Sequence, residues 1–363
     1  MDEAFNLATG TETRLPDGFL FGSYEEAEAG TGCSVIIYPE GAAGGVAVRG
    51  GAPATRETDL LDPVNMVQVI HAVVLSGGSA FGLDASSGVM RWLEANGIGL
   101  KFGGHCIPIV SGACIFDLNL GTPGVRPDAE WGYKACTNAG TGIATGNLGA
   151  GTGASVGKML GPDLAMKAGL GAASIAIGEL VVCAFVAVNA AGNIFSGSRG
   201  RMVAGARDPE RPLSILDPYQ ALFAQAQAAA AERENPRLTE GGEVAETAVS
   251  AGSGSGLSGG EDLGAASRAN TTIGCVLTNA SLSKAQATRV ASMAHDGFAR
   301  AIEPVHTSND GDTIFVMAGG SVQTNPDIVG ILAARVMEAA IVNAALDAEG
   351  AYGLPANRDL LVR

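Results

Sequence analysis

Short apolar runs alternate with Gly-rich breaks along most of the chain, a pattern that predicts a layered protein rich in strands. Cys33 to Pro39 (CSVIIYP) and Gly45 to Gly50 (GVAVRG) read as a hairpin across Gly-rich turn material. Val69 to Ser76 is nearly all apolar, as expected of a strand buried on both faces, and stops at Gly77-Gly78. A helix is expected from about Phe81 to Asn96, ended by Gly97. Ile107 to Leu118 reads as another strand. Ser174 to Asn189 reads as two more, with a turn at Ala190-Ala191-Gly192.

Pro218 to Glu234 is rich in Ala and Gln and reads as a helix. Asn235 to Ala269 then holds GGE, AGSGSGLSGGED and few large apolar residues, too few to bury against anything. A structureless stretch of this length inside a compact domain needs a reason. Order resumes abruptly at Asn270. Thr271 to Asn279 reads as a strand, about Ser283 to Ile302 as a helix, and Asp312 to Gly319 as a strand. Asn325 caps a final helix that has Pro326 in its first turn and runs to about Leu346. That helix is apolar on most sides, which places it between layers. The fold class is α+β or layered α/β. Residues 1–270, with a flexible linker at 235–269, form a large part. Residues 271–363 form a small part with too little core to fold alone, so the two make one domain.

Composition narrows the function. The 363 residues are 47% hydrophobic, enough for a large core, and carry a net charge of −15. No basic patch exceeds two adjacent residues, which argues against nucleic acid as a partner. The start of the chain lacks a basic region followed by an apolar run, and the longest apolar run, Leu180 to Val188, is far shorter than a membrane span of about 20 residues. A cytoplasmic protein with no membrane partner is expected. The six cysteines include no C-x-x-C pair and read as reduced core thiols. The four histidines have no metal-ligand spacing, so neither a metal nor a cofactor is expected.

The strongest candidate chemistry lies where the linker meets the strand at Thr271. Scission of the bond after Asn270 would give Thr271 a free α-amine beside its own hydroxyl. Such an amine has an ordinary pKa near ~8 and can act as general base for that hydroxyl. The bland reading is a loop entering a strand. In HTSNDGDTIF (His306 to Phe315), Asp310 and Asp312 bracket Gly311; two carboxylates so close can orient an amine and tune its proton affinity. The run lacks the pattern of an EF-hand calcium loop, and a solvated turn is its bland reading. GAGTGASVGKML (Gly149 to Leu160) departs from a phosphate loop at Thr152 and Met159, which argues against nucleotide binding. It leaves Lys158 in an apolar surrounding, as an oxyanion donor, a support for a nucleophile, or a snorkelling side chain. Asn189 ends an apolar strand, where its amide could serve an oxyanion or a turn. SGGSAFGLDA (Ser76 to Ala85), with Gly78 and Ser79, makes a sharp strand-to-helix turn with exposed amides.

Taken together and in this order, GGSAFGLDA, GTGASVGK, VAVN, NTTIGCVLTNASLS and HTSNDGDTIF resemble the L-aminopeptidase/D-esterase family of self-cleaving N-terminal-nucleophile hydrolases. That family includes β-peptidyl aminopeptidases and nylon-oligomer hydrolases. The likeness runs from about Gly32 onward, and Thr with D-G-D looks more like the nylon-oligomer branch. The resemblance implies an αββα sandwich cleaved into a large and a small subunit. It also implies a homo-oligomer, a tetramer of such pairs, acting on small amides or short peptides. By position Thr271 matches the nucleophile, and Lys158 and Asn189 match its supports. Asp310 and Asp312 match the pair beside its amine. Phe116 stands where relatives commonly carry a Tyr near the substrate, and Phe cannot donate a hydrogen bond.

The leading expectation is a hydrolase of small linear amides such as 6-aminohexanoate oligomers. The alternatives are an aminopeptidase acting on peptides or β-peptides, an acyltransferase of the ornithine acetyltransferase type, and an inactive binding scaffold. The acyltransferases carry their Thr in an A-T-M-L context that is missing here.

Overall fold

The computed structural model of the protein describes residues 6–360 except 198–199, 212, 221, 224–225 and 228–269. The expected helix over 218–234 therefore lies partly, and the expected linker over 235–269 wholly, outside the described residues.

Among the described residues ten strands form one hydrogen-bonded sheet. They are β1 (Asn6–Thr9), β2 (Leu20–Glu26), β3 (Thr31–Val48), β4 (Thr55–Arg56), β5 (Val69–Ser76), β6 (Val110–Cys114), β7 (Leu170–Ile177), β8 (Leu180–Asn189), β9 (Thr271–Ala280) and β10 (Thr313–Val322). Their order is β1-β7-β8-β9-β10-β3-β5-β6-β4, with β2 also on β3. β9 and β10 run parallel to each other, as do β5 and β6.

The sheet folds over on itself at β3. Residues 31–37 of that strand pair with β2 and β5, whereas residues 43–48 pair with β10. The register shifts between Ile37 and Ala42, around Pro39 and a left-handed Gly41 (φ +84°). The hairpin expected over Cys33 to Gly50 is therefore a single bent strand. Its glycines serve close packing: a Cβ at Gly45 would overlap the backbone of Ala287 on a covering helix.

Side chains alternate across the layers as the period of two demands. On β8, Cys183, Phe185 and Ala187 face a middle layer with Ile36, Ile70, Leu75, Phe315 and Met317. Val182, Ala184, Val186 and Val188 face helices α3 (Lys284–Ala301) and α4 (Pro326–Asp347). On the far side Val35, Ile37, Ala72 and Val74 meet α1 (Ala85–Ala95) and α2 (Ala129–Thr137). The protein is thus an αββα sandwich.

Both covering helices of the small part start where the sequence signals them. Ser283 and Gln286 form a reciprocal cap on α3, and the Asn325 side chain accepts from Asp327 N at 2.9 Å at the start of α4. By length and hydropathy α4 could cross a bilayer. However, 72% of its most apolar window is buried, so its apolar character reflects the core. Two expectations need trimming. The helix placed at Phe81 begins only at Ala85, because Ser79–Asp84 winds as a 3₁₀ turn after the left-handed Gly78. The strand placed over Ile107 to Leu118 is only Val110–Cys114. Pro108 interrupts pairing on one side, and the chain turns at Phe116-Asp117 on the other. The two strands expected over Ser174 to Asn189 are present as Leu170–Ile177 and Leu180–Asn189.

Phe185 is fully buried and stacks on Phe21 at 4.5 Å between ring centres, tying the two sheet layers together. Phe185→Ala should cost about 3–5 kcal/mol of stability, through lost burial plus a cavity. Denaturant unfolding should show this as a lower midpoint at unchanged slope; a loss under about 1 kcal/mol would contradict the packing described.

Candidate active site

Three strands converge at one end of the sheet. β8 ends there with Asn189, while β9 and the parallel β10 both begin there. Register places Asn189 directly opposite Thr271, and Asn270 bridges Asp310 just before β10. Strand pairing alone therefore gathers four of the residues singled out from the sequence.

Thr271 is almost wholly buried, and its hydroxyl donates to the carbonyl of Asn270, the residue before it. That carbonyl also accepts from Gly311 N at 3.1 Å. The hydroxyl of the neighbouring Thr272 is buried without a hydrogen-bond partner, and its backbone N–H is held by Asp312 Oδ1 at 2.7 Å. Of the two threonines, then, Thr271 has its oxygen at the carbonyl between 270 and 271.

The acidic loop is folded on its own carboxylates. Asp310 Oδ2 accepts from Thr307 N at 2.7 Å. Asp312 Oδ2 accepts from His306 N at 3.1 Å and lies 2.8 Å from His306 Nδ1. The residues just after β3 latch the loop, through Arg49 N to Asp312 O at 2.9 Å and Ala52 N to Asp310 O at 2.8 Å. Burial, reinforced by the charge of Asp312, raises the pKa of Asp310.

Lys158 is buried, and its Nζ donates to both oxygens of Asn189, at 2.6 Å to Oδ1 and 3.0 Å to the backbone O. Burial pushes its pKa down to about 7, against the opposing pull of Asp310 and Asp117. Asn189 Nδ2 donates to Phe116 O at 2.8 Å, and Ser155 N donates to Asn189 Oδ1 at 3.1 Å. The Asn189 amide is thus a junction binding Lys158, the Gly-rich loop and the Phe116 turn. Phe116 and Lys158 line a cavity of about 20 Å³ with Asp117, Ser155 and Leu354, room for about one water. Gly78 and Ser79 stand further out, Gly78 N donating to Asp117 Oδ1 at 2.7 Å and Ser79 N to Ile115 O at 2.9 Å.

Sequence reasoning missed two buried groups and one half-buried one. Asp117 accepts from Thr31 Oγ1 at 2.7 Å as well as from Gly78, and burial raises its pKa to about 6. Lys167 is fully buried among the carbonyls of Gly151, Ala154 and Ala168, and burial lowers its pKa to about 7. It ties down the loop that carries Ser155 and Lys158. His306 is the third. In the sequence Asp117 and Lys167 are each one polar residue beside apolar neighbours with no local pattern to mark them, and His306 opens the HTSNDGDTIF stretch without a cue to its own role.

The αββα layering is that of an Ntn-type hydrolase fold, and the family the chain matches acts on peptide or amide bonds. The profile of peptidase family S58 matches residues 14–358, and the chain belongs to that family. It is 38% identical over 346 residues to an uncharacterized aminopeptidase of Mycobacterium tuberculosis, covering 91% of this chain and 89% of that protein. It is 30% identical over 365 residues to a 6-aminohexanoate-oligomer endohydrolase of Kocuria sp., covering 94% and 90%. Among solved structures it is similar to the L-aminopeptidase D-Ala-esterase/amidase of Ochrobactrum anthropi, described as a variant of the Ntn-hydrolase fold. That match has a TM-score of 0.62 at 18% identity over 96% and 91% of the two chains. A Burkholderia sp. β-aminopeptidase matches with a TM-score of 0.60 at 18% identity, over 99% and 96%. These two likenesses speak to the fold.

The buried Lys158 and Lys167 give stability a pH signature. Their folded pKa values, about 7, lie below the unfolded value near ~10.4, so between these limits the unfolded chain binds more protons and stability rises with pH. Above about pH 8.5 the buried thiols oppose the rise, since Cys33, Cys114, Cys183 and Cys275 are all pushed up by burial and ionise only when exposed. Denaturant midpoints should therefore climb from about pH 7 to 8.5, and climb less steeply in Lys167→Met. Equal slopes in the two proteins would mean that Lys167 is charged to the same extent folded and unfolded.

Proposed function

We propose that the protein is a self-processing amidase of small linear amides whose nucleophile is Thr271. The observation that carries this is the Thr271 hydroxyl resting on the Asn270 carbonyl, buried at the strand ends between Asn189 and the Asp310–Asp312 loop. The oxygen adds to that carbonyl carbon, the C–N bond breaks, and the proton passes to the departing nitrogen, which becomes the α-amine of Thr271. Water then hydrolyses the resulting ester, leaving Asn270 as a carboxylate. In turnover the freed amine takes the proton of the same hydroxyl as it attacks a substrate amide. The α-ammonium passes that proton to the substrate's departing amine, and a second water, losing a proton to the same α-amine, releases the acyl group.

Self-cleavage also answers a problem of space. Asn270 is buried against Thr271, and the cavity beside Lys158 admits about one water, so a substrate acyl group needs the place that Asn270 holds. Lys158, anchored on Asn189, supplies positive charge at the oxyanion, and the second amide hydrogen of Asn189 remains as a donor. The substrate class proposed is linear ω-amino-acid amides such as 6-aminohexanoate oligomers, supported by the Kocuria relative. A second reading, an aminopeptidase, is favoured by the Mycobacterium relative. Acetylating the probe's terminal amine separates them, because an aminopeptidase loses its substrate and an internal amidase does not.

Purified wild type should give two chains, near about 27 and 9 kDa at the protein's mean residue mass, with residue 271 at the new N-terminus by intact mass spectrometry. Thr271→Ala should remain one chain of 36.3 kDa and hydrolyse no amide. A processed and active alanine variant would end the proposal. Asn189→Ala should slow turnover by about 10²–10³-fold without abolishing it, the usual cost of one oxyanion donor. Rates near wild type would remove Asn189 from the mechanism.

A further inference from the structure

His306 makes a set of contacts that packing alone does not account for. Its Nδ1 lies 2.8 Å from Asp312 Oδ2, and its backbone N–H donates to the same oxygen at 3.1 Å. The other oxygen, Oδ1, receives Thr272 N at 2.7 Å. The carboxylate is therefore held from one side by His306 and itself holds the peptide next to Thr271 from the other. Facing a carboxylate oxygen, which accepts, Nδ1 is the donor of this pair, and Nε2 is the ring's remaining nitrogen. That Nε2 is buried with no partner, an arrangement that costs free energy.

The backbone adds to that cost. His306 has φ +58°, in the left-handed region where Gly and Asn sit with less strain. Its ring packs edge-on to His295 of α3 at 4.8 Å and lies over Phe298 at 5.9 Å. His295 is neutral: burial pushes its pKa to about 4, and its Nε2 is engaged with Ala47 O at 3.0 Å. Of the titratable groups, Asp312 and Asp310 lie on the same loop as His306 and neutral His295 lies on α3; Arg49, just after β3, acts on His295, and Lys158 acts on Asp310.

From these contacts we infer that His306 is a positioning residue: its Nδ1–H fixes the rotamer of Asp312, and Asp312 fixes the backbone that presents the Thr271 hydroxyl. This rests on the reading of Thr271 as nucleophile and deepens it. The ring provides two separable things, a donor and an aromatic face. His306→Phe keeps the face against His295 and Phe298 and removes the donor. His306→Asn keeps a side-chain N–H for Asp312, tolerates the left-handed backbone and removes the face.

The test compares these two chains with wild type and Thr271→Ala. Intact mass at successive times after synthesis gives the self-cleavage rate, and linear 6-aminohexanoate trimer and an amino-acid p-nitroanilide serve as amide probes. His306→Phe should lower self-cleavage and kcat by about 10- to 100-fold with little change in KM, the range expected for losing a partner that orients a charged group. His306→Asn should stay within about threefold of wild type. If His306→Phe does not fold, His306→Ala takes its place in the comparison. Wild-type rates without the donor, or equal losses in the donor-keeping and donor-lacking chains, overturn the inference. Either result with an inert Thr271→Ala leaves the nucleophile assignment standing; an active Thr271→Ala removes that assignment instead.

Discussion

The protein depends on the pairing of Asn189 with Thr271 across two central strands. That single register point sets the end of one strand against the start of another and lays a peptide carbonyl against a hydroxyl. A slip of one residue would turn Thr271 to the opposite face and exchange its surroundings for those of Thr272. The register is pinned along its length, since alternate residues of the Leu180–Asn189 strand fill two different apolar layers. The core thus fixes the chemistry at the strand ends to within a fraction of a residue.

The site collects buried polar groups that the rest of the fold must outweigh. Lys158, Lys167, Asp117 and Asp310 all lie out of water with pKa values displaced by burial. None of the four stands unsupported. The two lysines rest on carbonyl oxygens, and the two aspartates on backbone N–H groups, with a threonine hydroxyl added for Asp117. Neutral partners of this kind hold a charged group in place without cancelling its field, which suits stabilisation of charge that appears during a reaction. A site built only of matched ion pairs would hold less free field for that use.

The proposed division at residue 270 would separate two kinds of structural work. The long first part supplies the outer layer, the Gly-rich loop and the two buried lysines. The short last part supplies the central parallel strands, both helices of one outer layer and the acidic loop. The two are packed as one body, because Thr271–Ala280 is hydrogen-bonded between strands of both parts and its side chains fill cores shared with both. Cutting the chain there removes one covalent link and leaves the packing that holds the new terminus.

The sequence by itself determined the strands of the central layer and the helices of the small part, with the Asn325 cap, and it proposed the candidate set Thr271, Lys158, Asn189, Asp310 and Asp312, whose members the structure places near one another at the strand ends. These were legible because each rests on local signals: apolar period, cap chemistry and motif spacing. It misread Cys33 to Gly50 as a hairpin, since glycines that admit a helix and glycines that make a turn look alike along a chain. Asp117 and Lys167 left no local signal, and His306, though it opens the HTSNDGDTIF stretch, was given no role there. Their importance comes from neighbours 86, 13 and 6 residues away, at Thr31, Ala154 and Asp312. Only the tertiary structure decided those contacts, because burial and the direction of a hydrogen bond belong to the packed layers and not to the order of residues.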